Sequence, residues 1–179
     1  GVSNYEETVR TYLASPTCAG TFGITATTPQ MPAAVKISEA IKASGKRSIL
    51  GGPHVTLVAA ARRVSGSSRI EKAWDTLASA FDVLVAGDGE ESILQAVAMA
   101  GRGFVNADDP KSGMWLTSKK FTESPWPDRS LIETESYKYS IDGERAMHLV
   151  AQLGCPFGCG FCGGRSSNML RRVRLRNTE

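Results

Sequence analysis

Three times between residues 21 and 100, a short apolar run ends at a turn rich in glycine or proline and is followed by a helical pattern. The apolar runs are residues 21–26, 47–50 and 82–86. The helical patterns cover residues 30–44, 55–63, 71–80 and about 89–100. Strand-length runs alternating with helices are typical of parallel strands joined by helical crossovers. The sequence therefore predicts an α/β fold with a doubly wound (Rossmann-like) parallel sheet, preceded by a helix over residues 4–14.

The three turns of this pattern, residues 25–29, 51–55 and 87–91, are expected at one edge of the sheet. Open parallel sheets bind ligands outside the carboxyl ends of their strands. Glycines in these turns leave room for a flat ring or a nucleotide to approach the backbone, although glycine also serves simply to make a tight strand-to-helix turn. The candidate lining residues are Thr25, Thr28, Gly51, Gly52, Pro53, His54, Gly87, Gly89 and Glu90.

Three of the four cysteines lie within eight residues, as Cys155-x3-Cys159-x2-Cys162. The apolar run 147–151 just before them predicts a short buried strand. Thiolates are the usual ligands of iron–sulfur clusters, and Gly158 and Gly160 allow the loop to fold tightly around such a group. The spacing favours a four-iron cluster that leaves one iron without a protein ligand.

Three alternatives remain at this point: a zinc site, disulfide pairing and inert thiols. A structural zinc site normally takes four ligands, and here the fourth would be Cys18, His54 or His148. Disulfide pairing would leave one of the three grouped cysteines unpaired. Grouped cysteines favour a reducing compartment, so we expect the protein in the cytoplasm.

The cysteine spacing, with Phe161 directly before the last cysteine, resembles that of the radical S-adenosylmethionine enzymes. The resemblance implies a 4Fe-4S cluster held by Cys155, Cys159 and Cys162. It also implies that S-adenosylmethionine binds the fourth iron and that Phe161 packs near its adenine. An electron donor for the cluster and a small-molecule or peptide substrate would be the partners.

The two segments Gly51-Gly52-Pro53-His54-Val55-Thr56 and Gly87-Asp88-Gly89-Glu90-Glu91 resemble the cobalamin-binding domain that precedes the barrel in one class of these enzymes. The resemblance implies that cobalamin lies over the strand ends and faces the cluster. Many members of this class are methyltransferases. The Asp-x-His-x-x-Gly pattern that supplies an axial histidine in other cobalamin proteins is absent, so His54 is expected to line the site and not to bind cobalt.

The expected domains are a cobalamin-binding-like domain over residues 1–124, a proline-containing linker over 125–140, and the start of a (β/α) barrel over 141–179. Only 17 residues follow Cys162, whereas a barrel needs about 200. We therefore expect an amino-terminal part of a larger enzyme, inactive by itself and with a first sheet strand missing upstream. The alternatives are a radical enzyme that binds no cobalamin, and a non-enzymatic binding module stapled by zinc.

Composition adds two exclusions. No apolar run approaches the roughly 18 residues of a membrane span. The net charge of +3 comes from residues 143–179, which hold six arginines against two glutamates. No aromatic residues are interleaved with Arg171, Arg172, Arg174 and Arg176, which argues against single-stranded nucleic acid as a partner. We expect these arginines to form a solvated face.

Four further expectations concern single positions. Asp88 is a candidate N-cap for the helix that follows it, whose residues Ile93, Leu94 and Val97 share one face. Residues 114–117 are a candidate strand of a small hairpin. Cys18 is expected to be a small buried residue. Trp74 and Trp126 are expected to serve packing.

Overall fold

The computed structural model describes residues 5–177, and its centre is a sheet of four parallel strands in the order β1-β2-β3-β4. The strands are β1 (Thr21–Thr25), β2 (Arg47–Gly51), β3 (Val83–Gly87) and β4 (Gly103–Ala107). The helices around it are α1 (Tyr5–Leu13), α2 (Met31–Ala43), α3 (Pro53–Val64), α4 (Ser68–Ala80) and α5 (Gly89–Ala98). The Rossmann-like parallel sheet predicted from the sequence is confirmed.

Both faces of the sheet are covered by helices. On one face Leu50 and Leu84 pack in a core with residues of α2, α3 and α4. On the other face Ile49, Val83 and Val85 pack against Ala96 of α5. Side chains of a strand alternate between faces, so β2 and β3 each contribute to both cores. The crossovers that follow β2 and β3 lie on opposite faces of the sheet.

Residues 103–123 do not form the predicted hairpin. Gly103–Ala107 is the fourth parallel strand, and its Val105 is buried under α5. Residues 114–117 form a loop in which Trp115 and Leu116 are buried, and it leads into helix α6 (Ser118–Glu123). The strand was missed because its five residues include glycine and asparagine, which weaken the usual strand signal.

The prediction of a buried strand over residues 147–151 is wrong. Met147, Leu149 and Val150 are 57, 61 and 56% exposed, because no part of the chain between residues 5 and 177 forms a sheet against them. The strand that leads to the cysteines is the two-residue β7, Gln152–Leu153, paired antiparallel with β8, Arg174–Leu175. The barrel-like start that we expected is therefore not observed here.

Helix α5 presents its apolar side to solvent. Leu94 and Val97 are exposed, whereas Ser92 and Ala96 are fully buried. The small side chains of Ser92 and Ala96 allow α5 to lie close to the sheet. The helix therefore packs through these two residues and not through the larger apolar side chains that the sequence pattern had placed against the core.

The segment between α6 and the cysteines is mostly exposed. It contains two turns of 3-10 helix and a hairpin of β5 (Ser140–Ile141) with β6 (Glu144–Arg145). The tight turn of the hairpin uses Asp142 and Gly143, both at positive φ. None of the helices between residues 5 and 177 is long and apolar enough to cross a membrane.

Gly87 and Gly89 provide a matched test of the turn after β3. Gly87 has a φ of +92°, and an added Cβ would overlap the backbone of Ala107 and Asp108, whereas a Cβ at Gly89 would meet nothing within 4 Å. We expect Gly87→Ala to lower the free energy of unfolding by about 2 kcal/mol or more. Gly89→Ala, in the first turn of α5, should leave it equal or raise it by up to about 1 kcal/mol. Urea unfolding followed by circular dichroism measures both; equal effects would contradict the geometry.

Candidate functional site

The three grouped cysteines lie in a loop, residues 154–173, that is closed at its base by the β7–β8 pair. We refer to it as the cysteine loop. Gly154 begins it at a φ of +76°, where an added Cβ would overlap the backbone of Arg172. The Cys155 N–H donates to the Leu170 carbonyl at 3.0 Å. The two ends of the loop are therefore fixed to each other.

The cysteines themselves are open to solvent. Cys155, Cys159 and Cys162 are exposed and free of disulfides, and a turn brings the Cys162 N–H within 3.1 Å of the Cys159 carbonyl. Among residues 5–177, however, no three metal-ligating side chains are gathered into one group. Three free thiols in one loop are the donor set that an iron–sulfur cluster needs, but the loop does not hold them in a ligating arrangement.

The predicted zinc alternative is not assembled either. Cys18 is only half-buried, contrary to the expectation of a buried residue, and its thiol contacts the Ala19 carbonyl. His148 packs against Tyr139, with ring centroids 4.5 Å apart. Phe161 is 93% exposed, with most of its ring accessible to a ligand.

Two buried aspartates at the carboxyl edge of the sheet hold the cysteine loop in place. Asp88, which follows β3, pairs with Arg174 at 2.5 Å and also accepts the Leu116 N–H at 3.2 Å. Asp108, which follows β4, accepts the Ser167 hydroxyl at 2.8 Å and the Met169 N–H at 2.7 Å. Helix α7 (Asn168–Arg171), in the second half of the loop, is thus attached to the sheet.

The predicted N-cap position of Asp88 is confirmed, but the capping hydrogen bond expected from its side chain is absent. Its carboxylate is committed to Arg174 and Leu116, because a buried arginine needs a buried counter-charge more than a helix end needs one more acceptor.

The expected solvated arginine face is wrong for two of its members. Arg174 and Arg176 are only 3 and 8% exposed. Arg174 stacks over Trp115 at 4.5 Å and donates to the Leu116 and Met169 carbonyls. Arg176 lies over the rings of Phe121 and Trp126, 5.1 and 4.2 Å from their centroids, and donates to carbonyls at the end of α6. These arginines tie the chain together and are unavailable to a nucleic acid.

At the ends of β1 and β2, several predicted lining residues do come together. The Thr28 hydroxyl and His54 Nδ1 are 3.0 Å apart. The backbone N–H of His54 donates to the Ala26 carbonyl at 3.1 Å. Gly52 adopts a φ of +95° beside Thr25, whose hydroxyl oxygen an added Cβ would overlap. Pro53 then begins α3. Gly51 has free space where a Cβ would be.

Glu90 is not in this group. It lines a pocket of about 230 Å³ with the linker and α6, beside Phe121, Trp126 and His148. Gly87 serves close packing against β4, and Gly89 starts α5. Of the predicted lining residues, Thr25, Thr28, Gly52 and His54 therefore form one cluster. Gly87, Gly89 and Glu90 lie outside it.

Helix α3 joins these two regions. It begins at the His54 turn, and a Cβ at Gly163, directly after Cys162, would be 3.9 Å from its Leu57 side chain. Near its end, Arg63 lies 3.2 Å from Asp108 and donates to the Ser166 carbonyl at 2.7 Å.

Sequence reasoning missed Asp108 and the roles of Asp88, Arg174 and Arg176. A signal was available for them. Asp88 and Asp108 each directly follow the last residue of a strand, and Arg174 and Arg176 stand two residues apart, as they would on one face of an extended segment.

Comparisons with known proteins identify no family. No family model matches the chain, and no curated protein is detectably similar to it. One solved structure, the amino-terminal domain of a hypothetical protein from Thermotoga maritima, is similar at 23% identity and a TM-score of 0.32. The match covers 48% of this chain and 60% of that one, so this chain spans less than two thirds of that structure.

Breaking the Asp88–Arg174 pair should be costly. Arg174→Met leaves a buried carboxylate without its counter-charge, and we expect a loss of about 3–5 kcal/mol in the free energy of unfolding. The control is Glu123→Gln, which removes an exposed pair with Lys119 and should change stability by less than about 0.5 kcal/mol. Chemical denaturation measures both. If Arg174→Met lowered the free energy of unfolding by less than about 1 kcal/mol, the Asp88–Arg174 pair would not be what holds strand β8 against the sheet edge.

The pH dependence of stability should report on His54. Burial lowers the pKa of His54 below its ordinary value, so neutral His54 contributes stability that is full above the unfolded-state pKa. That contribution is lost as pH falls through the lower folded-state pKa. His54→Gln should therefore lose less stability than the wild type between about pH 7 and pH 5. Equal losses in the two proteins, measured by urea unfolding, would contradict a pKa lowered by partial burial of the ring.

Proposed function

We propose that this chain is the amino-terminal part of a cobalamin-dependent radical S-adenosylmethionine enzyme. In this proposal Cys155, Cys159 and Cys162 hold a 4Fe-4S cluster, and cobalamin binds at the carboxyl edge of the sheet. Methyl transfer is the reaction to test first in the intact protein.

The observation that carries the proposal is the chemistry and position of the cysteine loop. Three exposed thiols without disulfides share a loop, and that loop is seated on the carboxyl edge of a parallel sheet through Asp88 and Asp108. In folds of this class ligands bind at that edge. A cluster in the loop would thus lie on the same side of the sheet as a ligand held at the strand ends.

A bound cluster would supply the electron that cleaves S-adenosylmethionine. The chain's own residues would bind and orient the reactants. The thiolates of the three cysteines would hold iron, and Phe161, almost fully exposed, would cover an adenine ring. The hydroxyls of Thr25 and Thr28 and the ring of His54 would offer polar contacts to a corrinoid, and Gly52 would allow its close approach.

Metal and sulfide analysis tests the proposal. The intact protein that contains this chain, purified without oxygen and supplied with hydroxocobalamin, should contain about four iron and four sulfide per chain and about one cobalt. Cys162→Ser should lose most of the iron, because two thiolates do not hold a four-iron cluster. Cys18→Ser, which changes the one cysteine outside the loop, should keep it.

Each other result has a distinct meaning. Iron and sulfide without cobalt would support a radical enzyme that binds no cobalamin. Zinc bound without iron would overturn the enzyme proposal in favour of a zinc-stapled module. Equal iron in Cys162→Ser and Cys18→Ser would show that the loop is not the cluster site.

A further inference from the structure

The carboxylate of Asp108 is buried between the sheet and the cysteine loop. It is 1% exposed and follows directly after β4. Its Oδ1 accepts two hydrogen bonds from the loop, from the Ser167 hydroxyl and the Met169 N–H. Its backbone carbonyl accepts a third, from the Asn168 side chain at 2.8 Å. One residue of the sheet edge thus meets three consecutive residues of the loop.

These contacts act on the first turn of α7. The helix has four residues, far too few to be stable alone, because forming the first helical turn is unfavourable. The Met169 N–H is one of the amide groups that a helix start leaves without an internal partner, and Asp108 satisfies it. Ser167 in turn accepts the Leu170 N–H at 3.3 Å.

Helix α7 is the support on which the cysteine-bearing half of the loop lies. The Leu170 carbonyl accepts the Cys155 N–H at 3.0 Å, and Arg171 donates to the Phe157 carbonyl at 3.1 Å. The Leu170 side chain closes on Gly164, where an added Cβ would be 2.9 Å from Leu170 Cδ1 and 3.6 Å from the Cys162 sulfur. The position of α7 therefore affects the backbone around both the first and the last cysteine.

We propose that Asp108 is a positioning residue: by capping α7 from the sheet, it sets the conformation of the cysteine loop. Arg63 supplies the counter-charge. Its Nη2 lies 3.2 Å from Asp108 Oδ2, in an ion pair without the geometry of a hydrogen bond, and donates to the Ser166 carbonyl. The effect of the loop conformation on a cluster rests on the proposed function. The effect of Asp108 on the loop conformation does not.

Amide hydrogen exchange of the metal-free full chain tests whether Asp108 sets the conformation of the cysteine loop when no cluster is bound. In Asp108→Ala the Cys155 and Met169 amides should exchange about tenfold faster or more, as expected for loss of hydrogen bonds to a buried charge. The amides of Leu84 and Val85 in the sheet should keep their rates. Asp109→Ala removes the neighbouring exposed carboxylate, which accepts the Lys111 N–H, and should leave the Cys155 amide unchanged.

Two further variants separate positioning from general destabilisation. Asp108→Asn keeps an oxygen for Ser167 and Met169, and should restore slow exchange at Cys155. Ser167→Ala alters only the loop side of the contact, and should speed exchange of the Cys155 and Leu170 amides with the sheet intact. Wild-type rates at Cys155 in both Asp108→Ala and Ser167→Ala would overturn the proposal. So would faster exchange throughout the sheet in both variants, since Asp108 would then be a core residue without a specific effect on the loop.

The same variants, loaded with iron and sulfide, connect the positioning to the proposed function. Asp108→Ala should change the electron paramagnetic resonance line shape of the reduced cluster and release iron to a chelator at least about tenfold faster. Asp109→Ala and Asp108→Asn should resemble the wild type. If no variant, including the wild type, retains a cluster, the proposed function fails and the exchange experiment alone judges the positioning. A cluster whose spectrum and iron release are the same in Asp108→Ala and wild type would overturn positioning of the cluster site.

Discussion

Two aspartates that follow neighbouring parallel strands hold the cysteine loop against the sheet. Asp88 is buried with Arg174, and Asp108 is buried with the start of α7. Taking a carboxylate out of water is costly unless charged or hydrogen-bonding partners replace the solvent. The loop and its base supply several of these partners: Arg174 for Asp88, and Ser167 and Met169 for Asp108. The docked position of the loop and the burial of the two carboxylates therefore depend on each other.

This mutual dependence explains how an exposed loop can hold a defined place. The cysteine side chains face solvent, and the strand pair at the base of the loop has only two residues on each side. Such a short ladder contributes little by itself. Through the two aspartates and Arg63 of α3, the sheet and its helices contact the chain within a few residues of Cys155 and Cys162. The positions of the side chains in a site at this edge would then be set by the sheet and not by the loop.

The sequence predicted the sheet because strand and helix periodicity are local signals, and residues 21–100 carry them strongly. The strand at Gly103–Ala107 and the exposed run at 147–151 were misread, since both depend on what packs against them. The arginines were misread for the same reason: Arg174 and Arg176 look like a basic tail until Asp88, Trp115 and Trp126 are placed beside them. The cysteine spacing can be read from the sequence, but the residues that position the loop are distant along the chain, and their contacts with it follow only from the fold.

Iron-edge anomalous diffraction from crystals of the protein loaded with iron and sulfide tests the central claim most directly. The account predicts one compact iron peak in the cysteine loop, bonded to the sulfurs of Cys155, Cys159 and Cys162, with one iron lacking a protein ligand. It also predicts that Asp108 still contacts α7 in that state. Iron located elsewhere, or a metal held by only two of the three cysteines, would contradict the account.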